Sequence, residues 1–239
     1  MTTALQQLQH QLIVSVQADA TEPLYPTPIL TALCESVLQG GAKGLRLANP
    51  QVMKHYAQQR PCLPTIGLHK PTVLPSLASD VPYITATLAD ALQIASTGVA
   101  IVALDATSRP RPDGLTLAQT VQTLRQAYPQ VQLMADVDTL AHGLQAVALG
   151  FDCIGTTLAG YTLASQATSP KQQPDYDLLD ALVKETPNTP IILEGRVWEP
   201  WQVHKAFEYG AYSVVIGSAI TRPHHITQRF CQALPAGNP

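Results

Sequence analysis

Short runs of branched apolar residues alternate with segments of helical periodicity along almost the whole chain. Eight such runs are predicted to be strands: residues 12–17, 44–48, 63–68, 100–105, 132–136, 153–156, 191–194 and 213–217. Their near-continuous apolar character is typical of parallel strands that are covered on both faces. The predicted helices are residues 29–39, 50–59, 88–96, 116–127, 140–149, 176–186, 200–208 and 225–233. This alternation restricts the chain to α/β folds built on a parallel sheet.

Eight strand–helix units predict a (β/α)8 TIM barrel, because every crossover is right-handed and the eighth strand can pair with the first. A doubly wound sheet is the alternative, and it predicts a glycine-rich GxGxxG turn after the first strand. The sequence at that place is QADATEPLYP, which contains no glycine. No linker or low-complexity segment divides the 239 residues, so we expect one barrel domain over residues 1–239.

Charge and cysteine content argue against several classes of protein. The formal net charge is −3 and there is no basic block, so we expect no binding to nucleic acid. The apolar runs are too short to cross a bilayer, and the first residues lack the features of a signal peptide. The four cysteines lie far apart without zinc-ligand spacing, and we interpret them as reduced thiols of a cytoplasmic protein.

The low content of charged residues bears on assembly. Charged residues make up 13% of the chain, against about 25% in typical globular proteins. A chain of this kind hides much of its surface, and the final segment is also apolar. We therefore expect a homodimer.

Polar or charged side chains occupy nearly every predicted strand end. In a barrel these positions face the open mouth, where barrel enzymes carry out their chemistry. One buried Asp or Arg is usually a structural ion pair, but eight converging polar ends would cost desolvation energy that a packed core avoids. The residues are Gln17, Arg46, Lys70, Asp105, Asp136, Thr156 with Thr157, Glu194 and Ser218.

Small residues after the last two strands predict a phosphate site. Gly195 and Gly217 would let backbone N–H groups approach a phosphate, and the helix that begins near Ser218 adds partial positive charge. Arg196 and Arg222 would supply forked donors. The alternative is that these glycines only make tight strand-to-helix turns. A phosphorylated small metabolite is the expected ligand.

Lys70 and Glu194 are the candidate proton-transfer pair. A lysine acts as a base only if burial or a nearby cation lowers its pKa toward the working pH. Arg46 and the amide of Gln17 would stabilise negative charge on a substrate oxygen, and Asp136 would orient the lysine or hold a hydroxyl. A Schiff base between Lys70 and a carbonyl substrate stays open, as does a solvated loop lysine.

Metal chemistry is not expected. A metal-dependent barrel epimerase would place several His and carboxylate ligands at strand ends. Of the seven histidines, His69 alone adjoins a strand end. His224 and His225 are adjacent in the last helical segment, where they point to different faces.

Several segments together resemble one known family. They read IVSVQA with EPLY, GAKGLRLAN, PTIGLHK, YITATLADA, VALDATSRPRPDG, LMADVDTLAHGLQAVALGFDCIGTTLAGYT, ILEGR and GAYSVVIGSAITRP. These segments cover nearly the whole chain in order. They resemble the N-acylglucosamine-6-phosphate 2-epimerases, also called N-acetylmannosamine-6-phosphate 2-epimerases.

The resemblance implies a TIM barrel of the ribulose-phosphate-binding type that converts N-acetylmannosamine 6-phosphate reversibly to N-acetylglucosamine 6-phosphate. It implies proton abstraction at C2 and return through an enediolate-type intermediate, without a metal or an organic cofactor, in amino-sugar metabolism such as sialic-acid breakdown. It assigns the catalytic roles to Lys70 and Glu194. It assigns substrate contacts to Gln17, Arg46, Asp136 and Arg222, and the phosphate to Gly195, Arg196, Gly217 and Ser218.

Two positions depart from the family pattern. Pro71 follows Lys70, where the family usually has a charged pair such as Arg-Asp, and Leu47 is an insertion between the usual Arg and Ala-Asn. Either change would act on the position of Lys70 or Arg46, or on the preferred N-acyl group. A Schiff-base aldolase or lyase and a non-catalytic sugar-phosphate-binding barrel therefore stay open as alternatives.

Overall fold

In a computed structural model that describes residues 2–71 and 81–235, eight parallel strands close into a barrel. The strands are β1 (Leu12–Val16), β2 (Gly44–Leu47), β3 (Thr65–Gly67), β4 (Ile101–Asp105), β5 (Gln132–Asp136), β6 (Cys153–Gly155), β7 (Ile191–Glu194) and β8 (Ser213–Ile216). Each strand pairs with its neighbours in chain order, and β8 pairs with β1. The predicted (β/α)8 barrel is confirmed, and the doubly wound alternative is wrong. Residues 1, 72–80 and 236–239 of the predicted domain lie outside the described residues.

Ten helices accompany the strands within the described residues. They are α1 (Ala4–Gln7), α2 (Thr27–Gln39), α3 (Pro50–Gln59), α4 (Leu88–Ala95), α5 (Leu117–Ala127), α6 (Leu140–Ala148), α7 (Tyr176–Glu185), α8 (Pro200–Glu208), α9 (Ser218–Thr221) and α10 (Pro223–Gln232). The final predicted helix, 225–233, starts at Pro223 instead, because proline suits the first turn of a helix. No helix of the described ranges combines the length and the apolarity needed to cross a membrane.

Side-chain caps fix where two of the mouth loops end. Thr87 and Asp90 form a capping box at the start of α4, with N–H to side-chain oxygen distances of 3.1 Å in both directions. Thr116 and Gln119 do the same at the start of α5. Each box satisfies backbone donors that the first helical turn leaves unpaired. The loops that border the mouth are therefore anchored at their helical ends.

Apolar residues fill the interior of the barrel and close its base. The interior cluster includes Ile13, Ile66, Ile101, Met134, Cys153, Ile192 and Val215. Leu5 and Leu8, at and just after α1, belong to the same cluster. The backbone N–H of Leu5 donates to Gln132 Oε1 at 3.0 Å, and its carbonyl accepts from the Tyr212 hydroxyl at 3.1 Å. A side chain at Gly44 would collide with Leu8, since its Cβ would lie 2.6 Å from Leu8 Cδ2. In the described part of the chain the base is thus filled by side chains, and the end that can hold a ligand is the one at the carboxyl ends of the strands.

Removal of the Leu8 side chain is expected to destabilise the fold without changing the site. Leu8 is fully buried, so Leu8→Ala should lower the free energy of unfolding by about 2–5 kcal/mol. Urea unfolding gives this value, and steady-state kinetics with the sugar phosphate that the family resemblance implies should give an unchanged KM. Leu144→Ala is the control, because Leu144 is 43% exposed on α6 and should lose at most about 0.5 kcal/mol. Equal losses in the two variants would contradict the role given to Leu8.

Candidate active site

A cavity of about 400 Å³ opens at the carboxyl ends of the strands. Its size is in the range of small-molecule sites. Eight of the ten predicted site residues line it: Gln17, Lys70, Glu194, Gly195, Arg196, Gly217, Ser218 and Arg222. Side chains that sequence reasoning did not assign to the site also line it: Ser15, Tyr83, Tyr161, Trp198 and His225.

The other two predicted residues, Arg46 and Asp136, are not among the residues that line the cavity. Both side chains are at most 1% exposed, and Arg46 Nη2 lies 2.7 Å from Asp136 Oδ2. Arg46 Nη1 lies 3.1 Å from Oε2 of Glu194, which faces the cavity. Thr157 Oγ1 donates to Asp136 Oδ1 at 2.5 Å and lies 3.3 Å from Glu194 Oε2. Glu194 is thus held by a buried guanidinium and a hydroxyl.

The pKa values of the two candidate catalytic groups are shifted in opposite directions. Burial lowers the pKa of Lys70, and the positive charges of Arg46 and Arg222 lower it further against the opposing charge of Glu194. Burial raises the pKa of Glu194, and the charge of Asp136 adds to this effect against the opposing charge of Arg46. Among the residues that the structure describes, no carboxylate forms an ion pair with Lys70 Nζ. Each shift is toward the uncharged form of its group, so the two groups are closer to exchanging protons than they would be in water.

Arg196 is fixed in an unusual conformation at the cavity wall. It has a φ of 58°, in the left-handed region that costs a non-glycine residue about 1 kcal/mol or more. Its guanidinium carbon lies 5.2 Å from the centre of the Tyr161 ring, and its Nε donates to the carbonyl of Gln173 at 3.0 Å. A Cβ at Gly160 would lie 3.0 Å from Arg196 Nη1. The loop between β6 and α7 therefore places this guanidinium.

A buried polar network supports that loop. His142 Nδ1 lies 2.5 Å from Asp138 Oδ1, and Thr162 donates to the other oxygen of Asp138. Ser165 Oγ lies 2.9 Å from Thr162 Oγ1 and accepts from the N–H of Gly160 at 2.8 Å. Burial alone would raise the pKa of Asp138, but the hydrogen bonds from His142 and Thr162 hold it below its usual range. A satisfied buried network of this kind makes the loop rigid.

Arg222 is already paired before any ligand binds. Its Nη1 contacts Glu22 Oε1 and lies 3.6 Å from Asp19 Oδ2. Both carboxylates belong to the loop after β1, so Arg222 ties this loop to the start of α10. The positive charge that the sequence predicted for the phosphate is therefore shared with two carboxylates.

Asp105, one of the polar residues that were predicted to face the mouth, is instead buried in an ion pair. Asp105 is fully buried, and Arg109 Nη2 lies 2.5 Å from its Oδ2. The Arg109 guanidinium carbon lies 5.4 Å from the centre of the Tyr83 ring, which lines the cavity. Within residues 2–71 and 81–235, no group of three His, Cys, Asp or Glu side chains is arranged to hold a metal ion.

The family model described as "Putative N-acetylmannosamine-6-phosphate epimerase" (NanE) matches residues 30–236. The chain belongs to this epimerase family. Residues 30–236 include seven of the eight strands and every predicted site residue except Gln17.

Relatives within the NanE family match almost end to end. A relative from an Enterobacter species, named "Putative N-acetylmannosamine-6-phosphate 2-epimerase", is 42% identical, over 99% of this chain and 97% of its own. One of the same name from Caldanaerobacter subterraneus is 41% identical, over 95% of this chain and 92% of its own. The solved N-acetylmannosamine-6-phosphate 2-epimerase of Clostridium perfringens has a TM-score of 0.86 at 38% identity, with 96% of both chains covered. The family resemblance seen in the sequence is confirmed.

The residues of the buried polar network were not predicted from the sequence, and the reason is physical. Asp138, Thr162 and Ser165 lie in loops that have no periodicity, and the network exists only because the loops after β5 and β6 come together. Tyr83 and Tyr161 were not predicted either, because they too lie in loops and not at the ends of strands. The one usable signal was the Ser, Thr and Gln content of residues 160–174.

The buried ion pairs of Arg46 are expected to stabilise the folded protein. Arg46→Met leaves Asp136 and Glu194 without their cation, and it should lower the free energy of unfolding by about 3–5 kcal/mol in urea titrations. Adding Asp136→Asn should restore part of that loss, because one unpaired charge is then removed.

Arg60→Met is the matched control. Arg60 pairs with Glu35 at 2.6 Å, but the two side chains are 49% and 35% exposed. An exposed pair contributes at most about 1 kcal/mol. If Arg46→Met and Arg60→Met unfold at the same urea concentration, the buried cluster does not stabilise the barrel as argued.

Proposed function

We propose that this chain is an isomerase that inverts C2 of N-acetylmannosamine 6-phosphate, reversibly, to give N-acetylglucosamine 6-phosphate. The observation that carries the proposal is the pair Lys70 and Glu194, which line one cavity with their pKa values shifted toward the uncharged forms. An uncharged amine accepts a proton and a carboxylic acid donates one, which are the two events that an epimerisation needs. The reaction printed in the names of the relatives supports the same substrate.

The phosphate of the substrate is proposed to bind at Gly195, Arg196, Gly217 and Ser218. All four line the same cavity, beyond the ends of β7 and β8, where barrel enzymes commonly bind phosphate. Arg196 makes no ion pair with a carboxylate of the described residues, so its charge is available to an anion. A phosphate held there supplies binding free energy remote from the reaction and brings C2 toward Lys70.

The proposed chemistry acts on the ring-opened sugar. The C1 aldehyde acidifies the C2 proton, which moves to the uncharged Nζ of Lys70. The electron pair of the broken C–H bond forms a C1–C2 double bond, and negative charge develops on the C1 oxygen as an enediolate-type intermediate. Glu194 then delivers its carboxyl proton to the opposite face of C2, the aldehyde forms again, and the Lys70 ammonium returns a proton to Glu194 through the solvent of the cavity. Atoms and charge balance over the cycle without any other reactant.

The remaining predicted residues are proposed to support this exchange. Arg46 contributes positive charge beside Glu194 and Lys70 in a desolvated place, where charge stabilises an oxyanion strongly. Asp136 holds Arg46 and Thr157 in position. Gln17 contacts the sugar near C2, and Arg222 draws the loop after β1 against the cavity.

Two further parts of the proposal concern assembly and location. We propose a homodimer in which a second copy covers α10, because this ten-residue helix has no buried residue and exposes 71% of Phe230.

We also propose a cytoplasmic location. All four cysteines lie in the described part of the chain as free thiols, which fits a reducing compartment.

Lys70→Ala is expected to abolish removal of the C2 proton from N-acetylmannosamine 6-phosphate and leave the fold intact, because the proposed base on that face of the sugar is lost. The measurement is incorporation of deuterium at C2 of the N-acetylglucosamine 6-phosphate that is formed from N-acetylmannosamine 6-phosphate in deuterium oxide. Glu194→Gln should lower the rate of conversion by about 100-fold or more, the usual size of a lost general acid. Near-normal exchange in Lys70→Ala would show that the base is wrongly assigned.

The same experiment separates the alternatives. Wild-type protein that binds the substrate but leaves the C2 proton unexchanged would be a non-catalytic sugar-phosphate-binding barrel. Borohydride that traps a covalent adduct on Lys70 in the presence of substrate would indicate a Schiff-base aldolase or lyase. The epimerase proposal expects exchange and no adduct.

Arg196→Ala is expected to raise KM by about 10-fold or more with kcat nearly unchanged, because a hydrogen bond to a charged group is worth about 1.5–3 kcal/mol. Arg229→Ala is the control, since Arg229 pairs with Glu199 on the surface and does not line the cavity. Its KM should stay within about twofold of wild type. A loss confined to kcat in Arg196→Ala would contradict a phosphate-binding role.

A further inference from the structure

Three contacts of Arg196 come from one loop, the segment between β6 and α7. Its Nε donates to the carbonyl of Gln173 at 3.0 Å, and its guanidinium carbon lies 5.2 Å from the centre of the Tyr161 ring. At Gly160 the backbone comes so close that a Cβ would lie 3.0 Å from Arg196 Nη1. A displacement of this loop would therefore move the guanidinium that is proposed to bind the phosphate.

The backbone of Arg196 does not favour this conformation by itself. Its φ of 58° lies in the left-handed region, which a residue with a Cβ enters at a cost in free energy. Contacts with the surrounding loop must therefore keep the side chain in place. A guanidinium that is already fixed binds an anion more tightly than one that must first be ordered.

A chain of buried hydrogen bonds connects this loop to the loop after β5. The N–H of Gly160 donates to Ser165 Oγ at 2.8 Å, and Ser165 Oγ lies 2.9 Å from Thr162 Oγ1. The hydroxyl of Thr162 donates to Asp138 Oδ2. Asp138, Thr162 and Ser165 are at most 3% exposed, and none of them is among the residues that line the cavity.

The charge of Asp138 gives this chain a single direction. Thr162 Oγ1 has one hydrogen, which goes to Asp138, so the Ser165 hydroxyl donates to Thr162 and is free to accept from Gly160. Every donor thus points toward the carboxylate, and hydrogen bonds arranged in this way polarise one another.

His142 satisfies the other oxygen of Asp138. Its Nε2 accepts from the N–H of Ser108 at 3.1 Å, so the neutral ring carries its proton on Nδ1, which lies 2.5 Å from Asp138 Oδ1. Burial disfavours the ionised carboxyl, but the hydrogen bonds from His142 and Thr162 hold the pKa of Asp138 below its usual range. The carboxylate can therefore stay charged out of contact with the cavity.

We propose that Asp138 is a positioning residue for the phosphate of the substrate, and that it acts through Thr162 and Ser165 on the loop that holds Arg196. The inference rests on the proposed function, because it requires a phosphate at Arg196. A purely structural network would contribute to stability alone. A positioning network also contributes to the affinity for phosphate, and only as long as Arg196 is present.

Thr162→Val tests the proposal, because it replaces the hydroxyl by a methyl group and interrupts the chain of hydrogen bonds. KM for N-acetylmannosamine 6-phosphate should rise at least about threefold, with kcat within about twofold of wild type. The inhibition constant of inorganic phosphate should rise by the same factor. Thr162→Ser keeps the hydroxyl and should restore both values. Ser165→Ala removes the acceptor for Gly160 and should act in the same direction, with a smaller change in volume.

A double-mutant cycle shows whether the effect passes through Arg196. Thr162→Val in the background of Arg196→Ala should change KM by less than about 1.5-fold, because the group that the network positions is then absent. Equal factors in the two backgrounds would overturn the inference, since Thr162 would then act on KM by another route.

Thr97→Val is the matched control. Thr97 is 5% exposed, and its hydroxyl donates to the carbonyl of Ile94 at 2.6 Å just after α4. The same atoms are changed in a buried place that does not line the cavity. This variant should lose stability in urea titrations and keep the wild-type KM and phosphate inhibition.

The outcomes separate this inference from the proposed function. The inference is overturned, and the function kept, if Thr162→Val and Ser165→Ala exchange C2 with the wild-type KM, or if Thr97→Val raises KM as much as they do. An unchanged KM in Arg196→Ala would overturn the phosphate-binding role of Arg196 and this inference with it. Absence of exchange at C2 in the wild type would overturn the proposed function itself.

Discussion

The buried charge cluster of Arg46, Asp136 and Glu194 is the interaction on which the rest of the site depends. A guanidinium that is 1% exposed is stable only with carboxylate partners, and these come from β5 and β7, on other parts of the barrel wall. The cluster therefore requires the closed barrel. It also sets the electrostatics above it, because the charge of Arg46 disfavours a protonated Lys70 and the charge of Asp136 disfavours an ionised Glu194. The same charges therefore hold the barrel wall together and shift the pKa values of the two groups in the cavity.

The alternation of apolar runs predicted the barrel, and the strand ends predicted the end of the barrel at which polar side chains gather. Lys70 and Glu194 follow this rule and line one cavity. Depth was not predictable in the same way. Arg46 is the last residue but one of β2, and its side chain lies below the cavity because it can reach Asp136 and Glu194 there. A strand pattern gives the face on which a side chain lies, but not the partner that will hold it.

The loops were the least predictable part, since their contacts join residues from different strand–helix units. Asp138 and Thr162 meet across two loops, and Arg196 takes a left-handed conformation that its sequence does not announce. The short helix α1 was missed because four residues carry too little periodicity to detect. Leu5 and Leu8 are buried only because the base of the barrel is there to cover them.

The closed base has a consequence for the path of protons. Leu5, Leu8 and the branched residues of the interior leave the mouth as the way by which water reaches Lys70 and Glu194 in the described part of the barrel. In the proposed reaction, a sugar phosphate bound in that mouth would separate the two groups from bulk solvent. Hydrogen taken from C2 would then reach the solvent only when the sugar leaves the mouth. The fraction of a deuterium label at C2 that is lost to water, compared with the fraction kept in the product, would therefore measure how long the sugar stays bound.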